Sequence, residues 1–428
     1  MQKHLQHNVC GARRGLAWAL LGIALAVGPH IGADHASADP GSVHRKSAAV
    51  EAKRAELKGD ATSTMFLLGL SAGVRAEIFT LANPYRVVVD LPDIAFHLPE
   101  GTGQKGSGLV STFRYGLLAE GKARVVIDTT GPVIIKRADM SAKGGSAVEL
   151  VIELAPTSVQ SFGSGTGGGR NAAAAAAKTE PPPAPKPSRQ QRVKPLVLID
   201  AGHGGIDPGA AGASNLKEKT LVLAVAHALK AQLAAGGRYD VKMTRATDVF
   251  VSLDQRLKMS RDLDADLFIS LHADSIAQKG FANAVRGATV YTLSEQASDE
   301  EARRMAEKEN NSDAIAGLQT AKFEEEGEVR NILIDLLKRE TSNFSADFSN
   351  ALVKRLGASV SLSGRPQRSA AFKVLRQADT PSVLVELGYM SNPEDEKLLN
   401  SAAWQRRVAA AIGSAVDSYF SKRTAKAR

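Results

Sequence analysis

Cysteine is almost missing from this sequence, with one residue, Cys10, in 428. A single thiol excludes a disulfide framework and any thiolate metal cluster. Aromatic residues make up only 5% of the chain. They do not interleave with basic residues, so the usual stacking surface for nucleic acid is missing. The apolar run Leu16–Val27 is too short for a comfortable mature membrane anchor, which needs about 20 residues. What is present is 43% hydrophobic and 23% charged residues, enough to form real cores and exclude wholesale disorder. At roughly 150 residues per unit, the length predicts two or three units. The net charge of +9 favours anionic surfaces such as membranes, acidic polymers or nucleic acid, without choosing among them.

The first 38 residues read as a secretory signal. Lys3, Arg13 and Arg14 form a positive start, Leu16–Val27 the apolar stretch, and Ala36-Ser37-Ala38 a small-residue cleavage site. The alternative is an uncleaved anchor. Arg13-Arg14 directly before the apolar run also permits twin-arginine export. Cleavage would leave a mature chain from Asp39, without Cys10, which suits an oxidising compartment.

Residues 39–62 are charged and Ala-rich and read as a tether or a frayed helix. From 63 to 156 short β-branched runs dominate. Arg86-Val87-Val88-Val89-Asp90 recurs as Arg124-Val125-Val126-Ile127-Asp128, 38 residues later. Turn residues such as Pro84, Pro92 and Gly131 bound these runs. The repeat predicts a small all-β domain of two similar halves, against coincidence between two Val-rich strands. Residues 163–193 are Gly-, Ala- and Pro-rich and read as a linker holding two tethered domains. From 194 to 422 strands and helices alternate. Strands are expected at Leu196–Asp200, Val241–Thr244, Leu267–Leu271, Ala288–Thr292 and Val383–Leu387, and a final helix near Trp404–Tyr419. This predicts an α/β catalytic domain, a mostly parallel sheet with flanking helices, with active groups at the carboxyl ends of its strands.

Three histidines fall in that stretch: His203, His227 and His272. His203 and His272 each follow a predicted strand. His227 shares the polar side of its helix with Lys230 and reads as solvated. Glu218 lies in phase with the apolar stripe Val222, Val225 and Leu229, which aims it inward. An inward carboxylate is costly unless paired or bound to metal. Two strand-end imidazoles and this carboxylate form a His₂Glu set, the ligand type of open catalytic zinc sites. Taken singly, each has a plain structural reading; together they favour metal. Glu386, near the end of Val383–Leu387, stands where a general base would lie, against a Glu paired with a nearby Arg.

The stretches Ile199-Asp200-Ala201-Gly202-His203-Gly204-Gly205, Glu218, Ser270-Leu271-His272-Ala273 and Val385-Glu386-Leu387-Gly388-Tyr389-Met390-Ser391-Asn392 resemble the zinc-dependent N-acetylmuramoyl-L-alanine amidases, from about Lys194 to Tyr419. The β repeat resembles the AMIN domain that precedes such catalytic domains in periplasmic cell-division amidases. The resemblance implies that His203, Glu218 and His272 carry Zn²⁺ and that Glu386 is the catalytic glutamate. It implies a peptidoglycan substrate, cut between N-acetylmuramic acid and L-alanine, in the periplasm and at the division site. Arg245, Asp248 and Arg256 also stand at positions typical of that family, in structural or substrate roles.

A long charged stretch, 294–340, reads as a regulatory helical insertion. Ser298-Asp299-Glu300-Glu301 is a capping box, and Ala302, Met305, Ala306 and Glu309 share one helical face. A second stripe, Val329, Ile332, Leu333, Leu336 and Leu337, has core spacing, and the next helix is expected near Phe344. The resemblance implies self-inhibition by a helix that an activator with a LytM-like domain displaces. An open zinc site has one free position, and Glu309 is the expected carboxylate to fill it, with Glu307 second and a solvated acidic helix as the plain alternative. Ala314, Ile315 and Leu318 form a short apolar stripe suited to docking the activator. Two other functions remain compatible with the chain: a zinc carboxypeptidase acting on stem peptides, and a non-enzymatic wall-binding scaffold.

Overall fold

A computed structural model describes residues 50–164, 192–212, 214–275, 285–318, 332–377 and 379–426. The expected signal segment 1–38 and most of the expected linker 163–193 lie outside the described residues. Among the described residues, no helix is long and apolar enough to cross a membrane.

Nine strands form the first unit: β1 (Val50–Gly59), β2 (Thr64–Leu70), β3 (Glu77–Leu81), β4 (Arg86–Pro92), β5 (Ile94–Phe96), β6 (Val110–Ala119), β7 (Lys122–Thr129), β8 (Val133–Gly144) and β9 (Ala147–Pro156). They build a five-stranded sheet, β5-β1-β2-β9-β8, and a four-stranded sheet, β3-β4-β7-β6. Successive side chains on a strand face opposite sides. Val87, Val89, Val125 and Ile127 therefore pack inward with Phe66, Leu68 and Ile152, whereas Val88 and Val126 face out. The two copies of the repeat are neighbours. β4 and β7 pair antiparallel, with Arg86 opposite Asp128, Val88 opposite Val126 and Asp90 opposite Arg124. The repeat is thus a local two-fold axis through the Val88–Val126 pair.

The stretch 39–62 is not simply a tether, because β1 occupies 50–59, antiparallel to β2 and parallel to β5. Its charges had suggested a solvated segment. Lys53 instead pairs with Glu51, and Arg54 and Lys58 with Glu56, while Ala52 is buried.

The second unit is a six-stranded sheet, flanked on both faces. Its elements are β10 (Leu196–Ala201), α1 (Glu218–Ala235), β11 (Asp240–Met243), α2 (Leu253–Leu263), β12 (Leu267–His272), β13 (Ala288–Leu293), α3 (Glu300–Asn310), α4 (Ser312–Ile315), α5 (Ile332–Gly357), β14 (Leu362–Ala370), β15 (Ser382–Glu386), α6 (Pro393–Leu399) and α7 (Ala402–Lys426). The strand order is β11-β10-β12-β15-β13-β14, with all neighbours parallel except β13 and β15. β10, β12 and β15 are wholly buried, as continuous apolar strands in a doubly covered sheet must be. One face packs on α1, α5 and α7, and the other on α2, α3 and the 3₁₀ turn Lys373–Leu375.

α5 starts at Ile332, not near Phe344. The cap of α3 is Asp299, which accepts from the Ala302 N–H (2.9 Å), not Ser298. The Ser298 hydroxyl is occupied instead by the Ser369 N–H of β14. The two units also touch. The Leu117 carbonyl of β6 accepts the N–H groups of Ile206 (3.1 Å) and Phe250 (3.3 Å). Val88 and Val126 share an apolar cluster with Ile206, Phe250 and Ala316.

Candidate metal centre

The carboxyl ends of three adjacent strands converge. β10 leads into Gly202-His203, β12 ends at His272, and β15 ends at Glu386, directly opposite His272 in the register. Glu218 is the first residue of α1 and fully buried. A carboxylate at a helix start is favoured by the helix dipole, and here it also receives two main-chain donors. The Ala210 N–H gives to Oε2 and the Ala273 N–H to Oε1, both at 2.8 Å.

His203 sits at φ +56, a left-handed conformation that costs a non-glycine residue ~1–2 kcal/mol. Neighbouring groups hold it there. Arg256 donates to the His203 carbonyl (2.8 Å) and the Ala201 carbonyl (2.8 Å) and pairs with buried Asp200. Arg245 donates to the carbonyls of Ala201 (2.9 Å) and Gly202 (2.8 Å). Asp248 accepts from the Gly205 N–H (2.8 Å) and Lys219 Nζ (2.7 Å). These three residues therefore brace the His203 loop. Gly202 is needed for close approach, since a Cβ there would stand 2.5 Å from the His272 ring.

Asp207, which the sequence reading did not single out, lies 2.8 Å from His203 Nδ1. A proton on Nδ1 shared with Asp207 leaves Nε2 as a lone pair facing the cluster. His203 Nε2 is 3.1 Å from Glu218 Oε1 and 3.4 Å from Glu309 Oε2. His272 Nδ1 is 3.3 Å from Glu218 Oε1 and 3.1 Å from Glu309 Oε2. Both nitrogens are buried without a well-formed hydrogen bond among the described residues. Ligand atoms of His203, Glu218 and His272 all lie within 4.8 Å of one another, the one such cluster among the described residues. Two orphaned imidazole nitrogens beside a buried carboxylate fit a divalent cation.

The buried charges perturb one another strongly. Burial alone would lower His272, but Glu309 and Glu218 more than offset it and raise the imidazole to about 10. His203 is raised against burial by Asp207, Glu218 and Glu309. Burial opposes ionisation of Glu218 and Glu309, yet the imidazoles hold both below the ordinary carboxylate range. Glu386 behaves differently. Burial, reinforced by Glu218 and Glu309, pushes its carboxyl up to about 8, with His272 opposing. Its Oε2 accepts the Asp274 N–H (3.0 Å), and Oε1 has no hydrogen-bond partner among the described residues.

Helix α3 closes the cluster from above. Ala302, Met305 and Ala306 bury against the second face of the sheet, and the same helical phase delivers Glu309, 4% exposed, to both imidazoles. Glu307 points to solvent and pairs with Arg303, so of the two it is Glu309 that lies beside the imidazoles. Lys308 pairs with Asp274, another contact not foreseen from sequence. Asn310 bonds the Ala371 carbonyl (2.9 Å) and the Lys373 N–H (2.7 Å), and Asp313 accepts the Leu253 N–H (2.9 Å). The cavity bounded by His203, His272, Glu309 and Asn310 holds about 10 Å³, room for one water molecule at most. His227 is exposed on α1, with Nε2 3.0 Å from the Ala246 carbonyl, and takes no part. The activator stripe Ala314, Ile315 and Leu318 is half-buried, not an open surface.

Residues 197–418 match the N-acetylmuramoyl-L-alanine amidase family, and residues 54–154 match the AMIN domain. The chain is similar to the N-acetylmuramoyl-L-alanine amidase AmiC of Neisseria meningitidis serogroup B, 32% identical over 372 residues, covering 84% of this chain and 87% of that protein. It is similar to the N-acetylmuramoyl-L-alanine amidase AmiA of Escherichia coli K12, 38% identical over 229 residues, 53% of this chain and 76% of that protein. Among solved structures, the catalytic domain of CwlV from Bacillus (Paenibacillus) polymyxa is 28% identical, over 53% of this chain and 98% of that one, with a TM-score of 0.37.

Proposed function

The chain belongs to the N-acetylmuramoyl-L-alanine amidase family, and we propose that it is a zinc enzyme acting on peptidoglycan outside the cytoplasm, with its site capped by its own helix α3. The observation that carries this reading is the convergence of two orphaned imidazole nitrogens and Glu218 beside the free oxygen of Glu386. His203, Glu218 and His272 would hold the metal. Bound there, zinc supplies Lewis-acid polarisation of the scissile carbonyl and of the attacking water. Asp207 fixes the His203 ring so that Nε2 points inward. Glu386, held by the Asp274 N–H, accepts a proton from water through its unpartnered oxygen and returns it to the departing alanine amine. Its raised affinity for a proton suits both halves of that exchange.

Glu309 occupies the face of the cluster that substrate would need. An extra carboxylate there fills the position an open zinc site leaves free, so α3 is an inhibitory cap. Release of the cap by a LytM-type activator, export through the N-terminal signal to the periplasm, and action in daughter-cell separation complete the reading.

Wall digestion tests it. Zinc-loaded protein should release whole stem peptides from purified peptidoglycan, and chelated protein should not. Glu386→Gln should lose at least ~100-fold in rate while retaining zinc. Release of single terminal amino acids in place of stem peptides would transfer the chain to the carboxypeptidases, and zinc-independent wall binding without release would leave a scaffold. Glu309→Ala should raise basal hydrolysis; a rate equal to the parent's would remove α3 as an inhibitor.

A further inference from the structure

The two arginines that open the β repeat face away from the core of their own unit. Arg86 and Arg124 are nonetheless 2% and 5% exposed. A buried guanidinium needs acceptors for its donors. Arg124 places Nε and Nη2 on Asp90 (2.5 and 2.8 Å) and Nη1 on the carbonyls of Ala316 (3.0 Å) and Gly317 (3.1 Å). Arg86 donates from Nε to the Pro84 carbonyl (3.2 Å) and from Nη1 to the Ala314 carbonyl. All three carbonyls of the catalytic unit belong to the end of α4 and the turn that follows it, five to eight residues beyond Glu309.

The turn crosses the β unit at its local two-fold axis. Gly317 has φ +70, and a Cβ there would lie 2.9 Å from Val126 Cγ2 and 3.3 Å from Val88 Cγ2. Val88 and Val126 point outward from the sheet yet are fully buried, because Ala316, Ile206 and Phe250 cover them. The edge strand β6 of the same sheet also meets the loops of the site, because the Leu117 carbonyl takes the N–H groups of Ile206 and Phe250. Ile206 lies in the loop that carries His203 and Asp207. The four-stranded sheet therefore holds the metal-bearing loop and the far end of the cap together.

We propose that this sheet is a latch acting within the chain: Arg86, Arg124 and the Val88–Val126 pair grip the turn Ala314–Gly317 and keep α3 over the metal cluster, so that the site opens only when the β unit releases the turn. The latch rests on the reading of Glu309 as an inhibitory group. It gives the β unit a second role besides any contact with the wall. A ligand that competes for the two arginines, or for the turn, would open the site from a distance.

The test uses the full, zinc-loaded chain and two independent lesions. Arg86→Ala with Arg124→Ala removes the donors. Val126→Glu leaves the β core intact and offers Arg124 a competing carboxylate at the contact. Hydrogen exchange of amides 300–317 and hydrolysis of purified peptidoglycan are read together, with exchange in β2 and β9 reporting the fold of the β unit. Exchange across 300–317 should quicken at least tenfold in both variants, and hydrolysis should rise toward that of Glu309→Ala. If Glu309→Ala is activated but both lesions leave exchange and hydrolysis at the parent's level, the latch is wrong and the inhibitory reading stands. The latch is equally wrong if exchange quickens without any gain in hydrolysis while Glu309→Ala is active. If Glu309→Ala itself shows no gain, the inhibitory reading fails, and exchange at 300–317 alone decides whether the sheet grips the turn. Should the double arginine variant lose protection in β2 and β9, Val126→Glu carries the decision.

Discussion

Asp207 holds His203 through a 2.8 Å contact to Nδ1, which leaves Nε2 on the side of Glu218 and Glu309. Its other oxygen is held by the Gly209 N–H at 3.1 Å, so the carboxylate has little freedom to turn. Residues that fix a metal-binding imidazole in this way typically contribute 10–100-fold to metal affinity. Asp207→Ala should therefore weaken zinc binding by about 10–100-fold, measured by competition with a chromophoric chelator. Asp207→Asn keeps an acceptor for Nδ1 and should lose less. Equal affinity in all three proteins would show that the Arg256 and Arg245 contacts orient the loop unaided. The candidate site was largely legible one residue at a time. Glu218 and Glu309 were both found by the phase of an apolar stripe, because a helix that buries Val222 and Val225, or Met305 and Ala306, must also bury the residue in step with them. Asp207 and Lys308 escaped that logic. Asp207 sits in a glycine-rich loop with no period, although a carboxylate four residues after a strand-end histidine was a usable signal. Lys308 reaches Asp274 across space from a helix face that reads as solvent-exposed.

At the scale of elements, legibility followed hydrophobic pattern. β10, β12 and β15 are continuous apolar runs and lie within one residue of their expected bounds. β14, Leu-Ser-Gly-Arg-Pro-Gln-Arg-Ser-Ala, carries almost no apolar signal, since it is an edge strand whose proline needs no ladder partner. β1 was hidden by its charges, which neutralise one another along the strand. α2 opens on a capping box, Ser252 with Gln255, and α6 on Asn392-Pro393, short local signals that the hydrophobic pattern did not bring out. The cap of α3 moved from Ser298 to Asp299 because β14, unseen in the sequence, takes the serine hydroxyl. That same strand supplies Arg368, which pairs with Asp299 at 2.9 Å and ties the start of the cap helix to the sheet. Helix α3 is thus held at both ends, by β14 at Asp299 and by Asn310 and Asp313 beyond Glu309.

At the scale of the whole molecule, no sequence signal reported that the two units touch, because contacts between domains arise from single exposed residues without periodicity. The energetic balance of the catalytic unit is easier to foresee. Three carboxylates, Glu218, Glu309 and Glu386, are buried around two imidazoles. Without a cation, this cluster satisfies its charge only by taking up protons, and it leaves ring nitrogens without good hydrogen bonds. A metal that binds the folded state stabilises it by about 4 kcal/mol when present at a thousand times its dissociation constant. For a unit of about 200 residues, that corresponds to roughly 8–16 °C in melting temperature. A calorimetric scan of the full chain should therefore show the catalytic transition falling by roughly that amount when zinc is exchanged for chelator. The β unit, which contributes no ligand to the cluster, should hold its own transition nearly constant. Coincident scans with zinc and with chelator would mean that the two imidazoles and Glu218 bind no metal in solution.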